Sequence, residues 1–244
     1  MSGHSHAKTI AHQKAATDQK RGQMFSKMAR LIAIAVREGG ASVETNSKLK
    51  AAIERAKSFN MPNDNIDRAI KQAVGGQEGK DLNEFLFDAY GPGGIAILIE
   101  GITDNKNRTL GEIKTIVSQH GGKLAQEGSV RWMFERKGVI VINPAVQSAD
   151  FQNREALELA AIEAGAQDLA WRAETLEIYT GMDNLQSTKE TLEKQGLKIE
   201  AATADWLAKD EVPLAAADKA QAEKLFESLD ESNDVQDVYS NLQD

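Results

Sequence analysis

Cysteine is absent from this chain of 244 residues, which excludes disulfides, zinc–thiolate fingers, iron–sulfur clusters and thiol nucleophiles. That absence fits a reducing cytosol. Long apolar runs are missing as well. The stretch Ile95-Ala96-Ile97-Leu98-Ile99 falls far short of the roughly 20 residues a membrane helix needs. A few positive charges mark the N-terminus, but no apolar segment follows them, so neither a secretory signal nor a membrane span is expected, and the expected location is the cytoplasm. Aromatic residues make up only 5%. Trp132, Trp171 and Trp206 all fall in predicted strands, where core packing is the default and a base-stacking platform would need several exposed rings on one face.

Apolar residues at 41% and charged residues at 27% are the profile of a globular chain with room for one to three small domains. The net charge of −8 conceals an asymmetry. Residues 1–80 hold fourteen Lys and Arg against seven Asp and Glu, whereas residues 81–244 hold fifteen against thirty. Within residues 1–30, Lys8, Lys14, Lys20, Arg21, Lys27 and Arg30 face a single carboxylate, Asp18. Acidic residues four positions away are nearly lacking, so helix-surface pairs do not neutralise these cations. A polyanion is attracted to that end and repelled by the other, which makes these six residues candidate phosphate contacts. His4, Ser5, His6 and Thr9 add donors, but the spacing of His4, His6 and His12 matches no metal site, and neither a metal nor a cofactor is expected.

Apolar spacing predicts three short helices. Phe25, Met28, Leu31, Ile32 and Ala35 form a helical stripe over Gln23–Arg37 that Gly39-Gly40 ends. Asn46 is a good cap for a second helix that stops before Met61-Pro62, and Asn63 or Asp64 caps a third that closes at Gly75-Gly76. After Gly79 the period becomes two. Strands are predicted at Phe85–Ala89, Ile95–Ile102 and Val130–Phe134, with a helix from Thr109, its expected cap, to Gly121. Residues 138–204 read as a full β-α-β-β-α-β unit. The tail adds a strand near Trp206, a helix through Leu225 and Leu229, and a strand Val235–Tyr239. The expected fold class is α+β: an N-terminal three-helix domain, then two ferredoxin-like β-α-β-β-α-β domains, the middle one discontinuous. The boundaries are 1–78 for the basic helical domain, 79–134 plus 205–244 for the discontinuous domain, and 135–204 for the inserted one.

Tyr90-Gly91-Pro92-Gly93-Gly94 leads into a strand rather than a helix, so it reads as a turn and not a phosphate loop. Asp104–Thr109 is a polar loop ending at a helix start, where Lys106 and Arg108 are further candidate phosphate contacts; an Asx-rich turn with an N-cap is the alternative. Glu100, Asp104 and Glu112 are bracketed by no nucleophile or binding loop, and His120 reads as a helix C-terminal residue. No catalytic residue is assigned.

The segments Gly3-His4-Ser5, Lys20-Arg21-Gly22, Arg37-Glu38-Gly39-Gly40, Asn60-Met61-Pro62, Tyr90–Gly94, Thr103-Asp104-Asn105, Asn107-Arg108-Thr109, His120-Gly121-Gly122, Gly128-Ser129-Val130 and Met133–Gly138 occur in order along nearly the whole chain. Together they resemble the YebC family, related to the mitochondrial translational activator of cytochrome c oxidase. The resemblance implies a cytoplasmic three-domain α+β protein with a helical N-terminal domain and no known catalytic activity. Members are commonly described as DNA-binding transcriptional regulators; others resemble translation factors that relieve stalling on the ribosome. Here the sequence departs from the pattern: Ala7 stands where an aromatic is usual, and Ala11, Gln13 and Gln23 replace positions often basic.

The expected function is therefore non-enzymatic regulation of gene expression by binding DNA, with ribosomal RNA and the ribosome as the alternative partner. A hydrolase or ligand-binding role in a cleft between the two α+β domains is the contrasting class.

Overall fold

A computed structural model of the chain describes residues 18–76, 81–172 and 174–243. The helical region consists of α1 (Asp18–Gly39), α2 (Ser47–Ser58) and α3 (Asn63–Val74). Their apolar stripes meet in a core of Met28, Ile32, Ala35, Leu49, Ala52, Ala56, Ile66 and Ala69. Asn46 caps α2 as its sequence position predicts, accepting from the Leu49 amide at 3.0 Å. Its amide nitrogen donates to the Ala35 and Gly40 carbonyls at 2.7 Å each, tying the end of α1 to the start of α2. At α3 the capping position is Pro62, in extended backbone, rather than Asn63 or Asp64.

The middle sheet is built from β1 (Asn83–Tyr90), β2 (Ala96–Thr103), the short β3 (Lys123–Leu124) and β8 (Val235–Ser240), in the order β3-β1-β2-β8, every pairing antiparallel. Helices α4 (Lys106–Gln119) and α7 (Ala216–Asp230) cover one face, and Phe85, Ala89, Ile97, Ile99, Ile113, Leu225 and Phe226 fill the layer between. This is the ferredoxin strand order with the chain starting elsewhere: β1, in third-strand position, comes first, as half of a hairpin with β2.

The remaining elements are β4 (Phe134–Ile142), α5 (Arg154–Glu163), β5 (Asp168–Arg172), β6 (Thr175–Thr180), α6 (Leu185–Lys194) and β7 (Ala201–Ala208), with sheet order β5-β6-β4-β7. That order is the β-α-β-β-α-β arrangement in unpermuted form. Its core centres on Ile140, Ile142, Leu157, Leu176, Ile178 and Leu192. Glu135–Leu207 forms one compact unit, and the described residues before and after it form the other. Among the described residues no helix is long and apolar enough to cross a membrane.

Three expected elements are displaced. Val130–Phe134 is not a strand; a 3-10 turn occupies Arg131–Met133. The cause is Asp88, whose fully buried carboxylate accepts the Val130 and Arg131 amides at 3.1 and 3.2 Å and so draws them out of any sheet ladder. Trp206 belongs to β7 of the inserted unit, not to the tail, and β7 begins at Ala201 rather than Leu197. Asn105, not Thr109, caps α4, accepting from the Arg108 amide at 3.1 Å.

Candidate nucleic-acid interface

Helix α1 has a polar stripe beside its apolar one, because Gln23, Lys27, Arg30 and Arg37 recur at three-, four- and seven-residue spacing and share one face. That face meets the end of α7 and the start of β8. Gln23 donates to the Glu231 carbonyl, and the Lys27 ammonium donates to the Asp230 carbonyl at 2.7 Å. Arg30 donates to the Ile102 and Asn233 carbonyls at 3.1 Å each and pairs with Asp234. Further along, Arg37 donates to the Leu82 carbonyl. From α2, Arg55 reaches Asp237 at 2.7 Å on the sheet face opposite α4 and α7. Lys27 is only 3% exposed. Burial lowers its pKa, against the opposing pull of Asp230 and Asp237.

Asp234, with a side chain 5% exposed, gathers several of these groups. One carboxylate oxygen takes the Thr109 hydroxyl at 2.6 Å, Arg108 at 2.7 Å and the Thr103 hydroxyl at 3.1 Å, while the other takes Arg30. Burial by itself would raise the Asp234 pKa; the bonds from Thr109, Arg30 and Arg108 more than offset it and hold the group at about 2. Gly101 makes the approach possible. A Cβ there would sit 2.1 Å from the Asp234 carbonyl oxygen, which instead accepts the Ile102 amide at 2.8 Å. Arg108 also pairs with Asp104 at 2.7 Å, and its pKa is raised by its hydrogen bonds to Asp234 and Asp104. The Thr103–Thr109 motif thus builds an ionic node that joins the helical region to the middle sheet.

The eight sequence-predicted phosphate contacts are therefore divided. Lys8 and Lys14 lie outside the described residues, as do His4, His6 and His12. Lys20 and Arg21 are exposed in the first turns of α1, and Lys106 is exposed at the start of α4. Lys27, Arg30 and Arg108 are engaged by protein acceptors, Lys27 with almost no solvent-facing surface from which to reach a phosphate.

Sequence reasoning missed a second group. Lys50 and Lys57 on α2 and Arg68 and Lys71 on α3 are exposed, and among the described residues none makes an ion pair. Lys50 and Lys57 lie seven positions apart on the face of α2 away from Leu49, Ala52 and Ala56. Arg68 and Lys71 take the equivalent face of α3, away from Ile66 and Ala69. The signal for them was present in the spacing of the buried residues. The acidic partners of the inward set, Asp234 and Asp237, lie just before β8 and within it, where no local spacing marks them.

His120 ends α4 as predicted, its Nε2 3.0 Å from the Ser228 hydroxyl of α7, an interhelix contact.

A three-helix domain with cations on two faces, docked by one of them on an acidic α+β sheet, defines a charge-segregated, multidomain α+β protein. Residues 5–76 match the model of the TACO1/YebC protein N-terminal domain, and residues 82–242 match that of the TACO1/YebC second and third domain. The chain belongs to the TACO1/YebC family. It is 46% identical to a "probable transcriptional regulatory protein" of Caldanaerobacter subterraneus subsp. tengcongensis over 243 residues, covering 100% of this chain and 98% of that one. A protein of the same description from Pseudothermotoga lettingae is also 46% identical, with 100% and 94% covered. Among solved structures, a conserved hypothetical protein from Aquifex aeolicus matches with a TM-score of 0.85 at 40% identity, over 94% of this chain and 93% of that one.

Proposed function

We propose that the protein is a non-enzymatic cytoplasmic regulator of gene expression that binds DNA through the outward face of its helical domain. The observation that carries this reading is the exposed set Lys50, Lys57, Arg68 and Lys71, without an ion-pair partner among the described residues, on a domain whose inward Arg30 and Arg55 are already paired. Lys20, Arg21 and Lys106 extend the contact, and Lys8 and Lys14 lie in the chain that precedes α1. The names of the relatives support regulation. A non-enzymatic role is supported by the fate of the strongly shifted groups: Asp234 and Arg108 serve an internal ion pair, and Tyr179 a buried hydrogen bond to Glu177, rather than an open site. Among the described residues of the helical domain no aromatic side chain is exposed, so the contact reads phosphates and carries little base preference.

The test is binding of the full chain to a duplex of mixed sequence across a salt series. Affinity falls as salt rises, with a logarithmic slope of roughly −0.9 for each phosphate neutralised. Replacing Lys50, Lys57, Arg68 and Lys71 by Gln reduces that slope by roughly three to four. An unchanged slope in the variant removes the assigned face, and tight, salt-independent binding removes the electrostatic account. Ribosomal RNA duplexes present the same phosphates. Binding to purified ribosomes that excess duplex DNA does not displace assigns the face to the translation role instead.

A further inference from the structure

Among the described residues, exposed large apolar side chains mostly stand one to an element, as Trp132 does on its turn and Val74 at the end of α3, and single ones call for no partner. Helix α5 is the exception. Leu159 and Ile162, three positions apart on it, are 57% and 60% exposed. The inner side of α5 is already occupied by Leu157, Ala160 and Ala161, which enter the core of the inserted unit, so that core has no use for the outer pair. Helix α6 packs into the same core through Leu192 and turns only polar side chains outward, among them Gln186, Glu190 and Glu193. The apolar outer face thus belongs to α5 alone of the two helices that share this layer.

The charges on the same face decide what covers it. Glu155, Leu159 and Glu163 follow at four-residue spacing and form one row with Ile162 beside Leu159, so a carboxylate stands at each end of the apolar pair. Both glutamates are exposed, and neither makes an ion pair among the described residues. The one cation of α5, Arg154, is held aside. Its guanidinium lies over the Trp171 ring, 4.5 Å from the ring centre, and the Trp171 indole N–H donates to Glu158 at 2.6 Å. The surrounding unit has the same sign, since residues 135–207 hold seven Lys and Arg against thirteen Asp and Glu. Such a face repels a nucleic acid or an anionic membrane, and a second copy of α5 would set the same carboxylates against one another. A helix with apolar side chains on one stripe and Lys or Arg beside them matches both features of the face at once. We infer that the outer face of α5 docks a basic amphipathic helix of a partner protein.

The experiment uses the full chain and a fluorescently labelled peptide of Leu-Lys-Lys-Leu repeats, followed by anisotropy, with a scrambled peptide of the same composition in parallel. The repeat peptide binds, and the double variant Leu159→Gln, Ile162→Gln weakens it roughly tenfold or more, the loss expected when the apolar centre of a contact is removed. Because both side chains lie outside the core, this variant keeps the wild-type urea midpoint. The variant Glu155→Gln, Glu163→Gln weakens binding several-fold and lessens its dependence on salt. The scrambled peptide does not distinguish wild type from Leu159→Gln, Ile162→Gln. Failure of the repeat peptide to bind, or equal binding to wild type and Leu159→Gln, Ile162→Gln, overturns the inference. Full affinity in Glu155→Gln, Glu163→Gln overturns the basic partner. Self-association of the chain that Leu159→Gln, Ile162→Gln abolishes overturns it in favour of a second copy.

Discussion

The two faces of the helical domain carry the same sign of charge and have opposite fates. Lys27, Arg30 and Arg55 point at the middle sheet and are matched there by the Asp230 carbonyl and the Asp234 and Asp237 carboxylates. Lys50, Lys57, Arg68 and Lys71 point away and are matched by nothing among the described residues. A count of positive residues cannot separate the two sets; their position relative to the apolar stripe can. Cations next to a buried stripe are recruited to hold domains together, and cations opposite it are left for partners. The acidity of the body is partly the complement of the inward set. A surplus of basic residues at one end is therefore a weaker sign of polyanion binding than the raw number suggests.

Removing the acceptor side of the inward set has the largest expected effect. Asp234→Ala leaves Arg30, Arg108 and two threonine hydroxyls without their common acceptor, and breaking a buried charge pair in this way costs about 3–5 kcal/mol, read from urea unfolding. Duplex affinity of the folded variant stays at the wild-type level. A fall in affinity as large as that of the outward variants would erase the distinction between the faces.

The same node sets an acid limit. A carboxyl held at about 2 in the folded protein, below its ordinary 3.8, contributes stability that is complete above the ordinary value and lost as pH falls through about 2. The loss is at most about 2.5 kcal/mol, since the difference of roughly 1.8 corresponds to about 1.4 kcal/mol for each pKa unit. Unfolding measured between pH 5 and pH 2 shows this step in the wild type and lacks it in Asp234→Asn. The smallest effect belongs to the outward cations: Lys50→Gln, Lys57→Gln, Arg68→Gln and Lys71→Gln each change stability by less than about 0.5 kcal/mol. A larger change in any of them would show that its side chain serves the fold.

Helices and most strands were legible because burial is one-sided and periodic: the stripe of Met28, Ile32 and Ala35 and the alternation of Phe85, Phe87 and Ala89 need no partner to be recognised. The elements that moved depend on distant groups. Val130 and Arg131 read as strand until Asp88, more than forty residues earlier, takes their amides. Thr109 reads as a cap until Asp234 takes its hydroxyl. The candidate site was only half legible for the same reason. Lys27 and Arg30 are as basic in sequence as Lys50 and Lys57; their place beside the apolar stripe separates them, but the acceptors that engage them, at Asp230 and Asp234, lie 203 and 204 residues away. Trp132 was assigned to a core because its segment was assigned to a strand, and the error in one carried the other.

Strand β8 completes the middle sheet, and it follows every other described element. Arg30 stands 204 residues from Asp234, and Arg55 stands 182 from Asp237. At a synthesis rate of roughly 5–20 residues per second, the helical domain emerges on the order of ten seconds or more before its carboxylate partners exist. Throughout that interval both of its faces, not one, are open to any polyanion nearby. The charge matching that closes the inward face is thus an event in time as well as a contact in space, and synthesis of β8 brings it about.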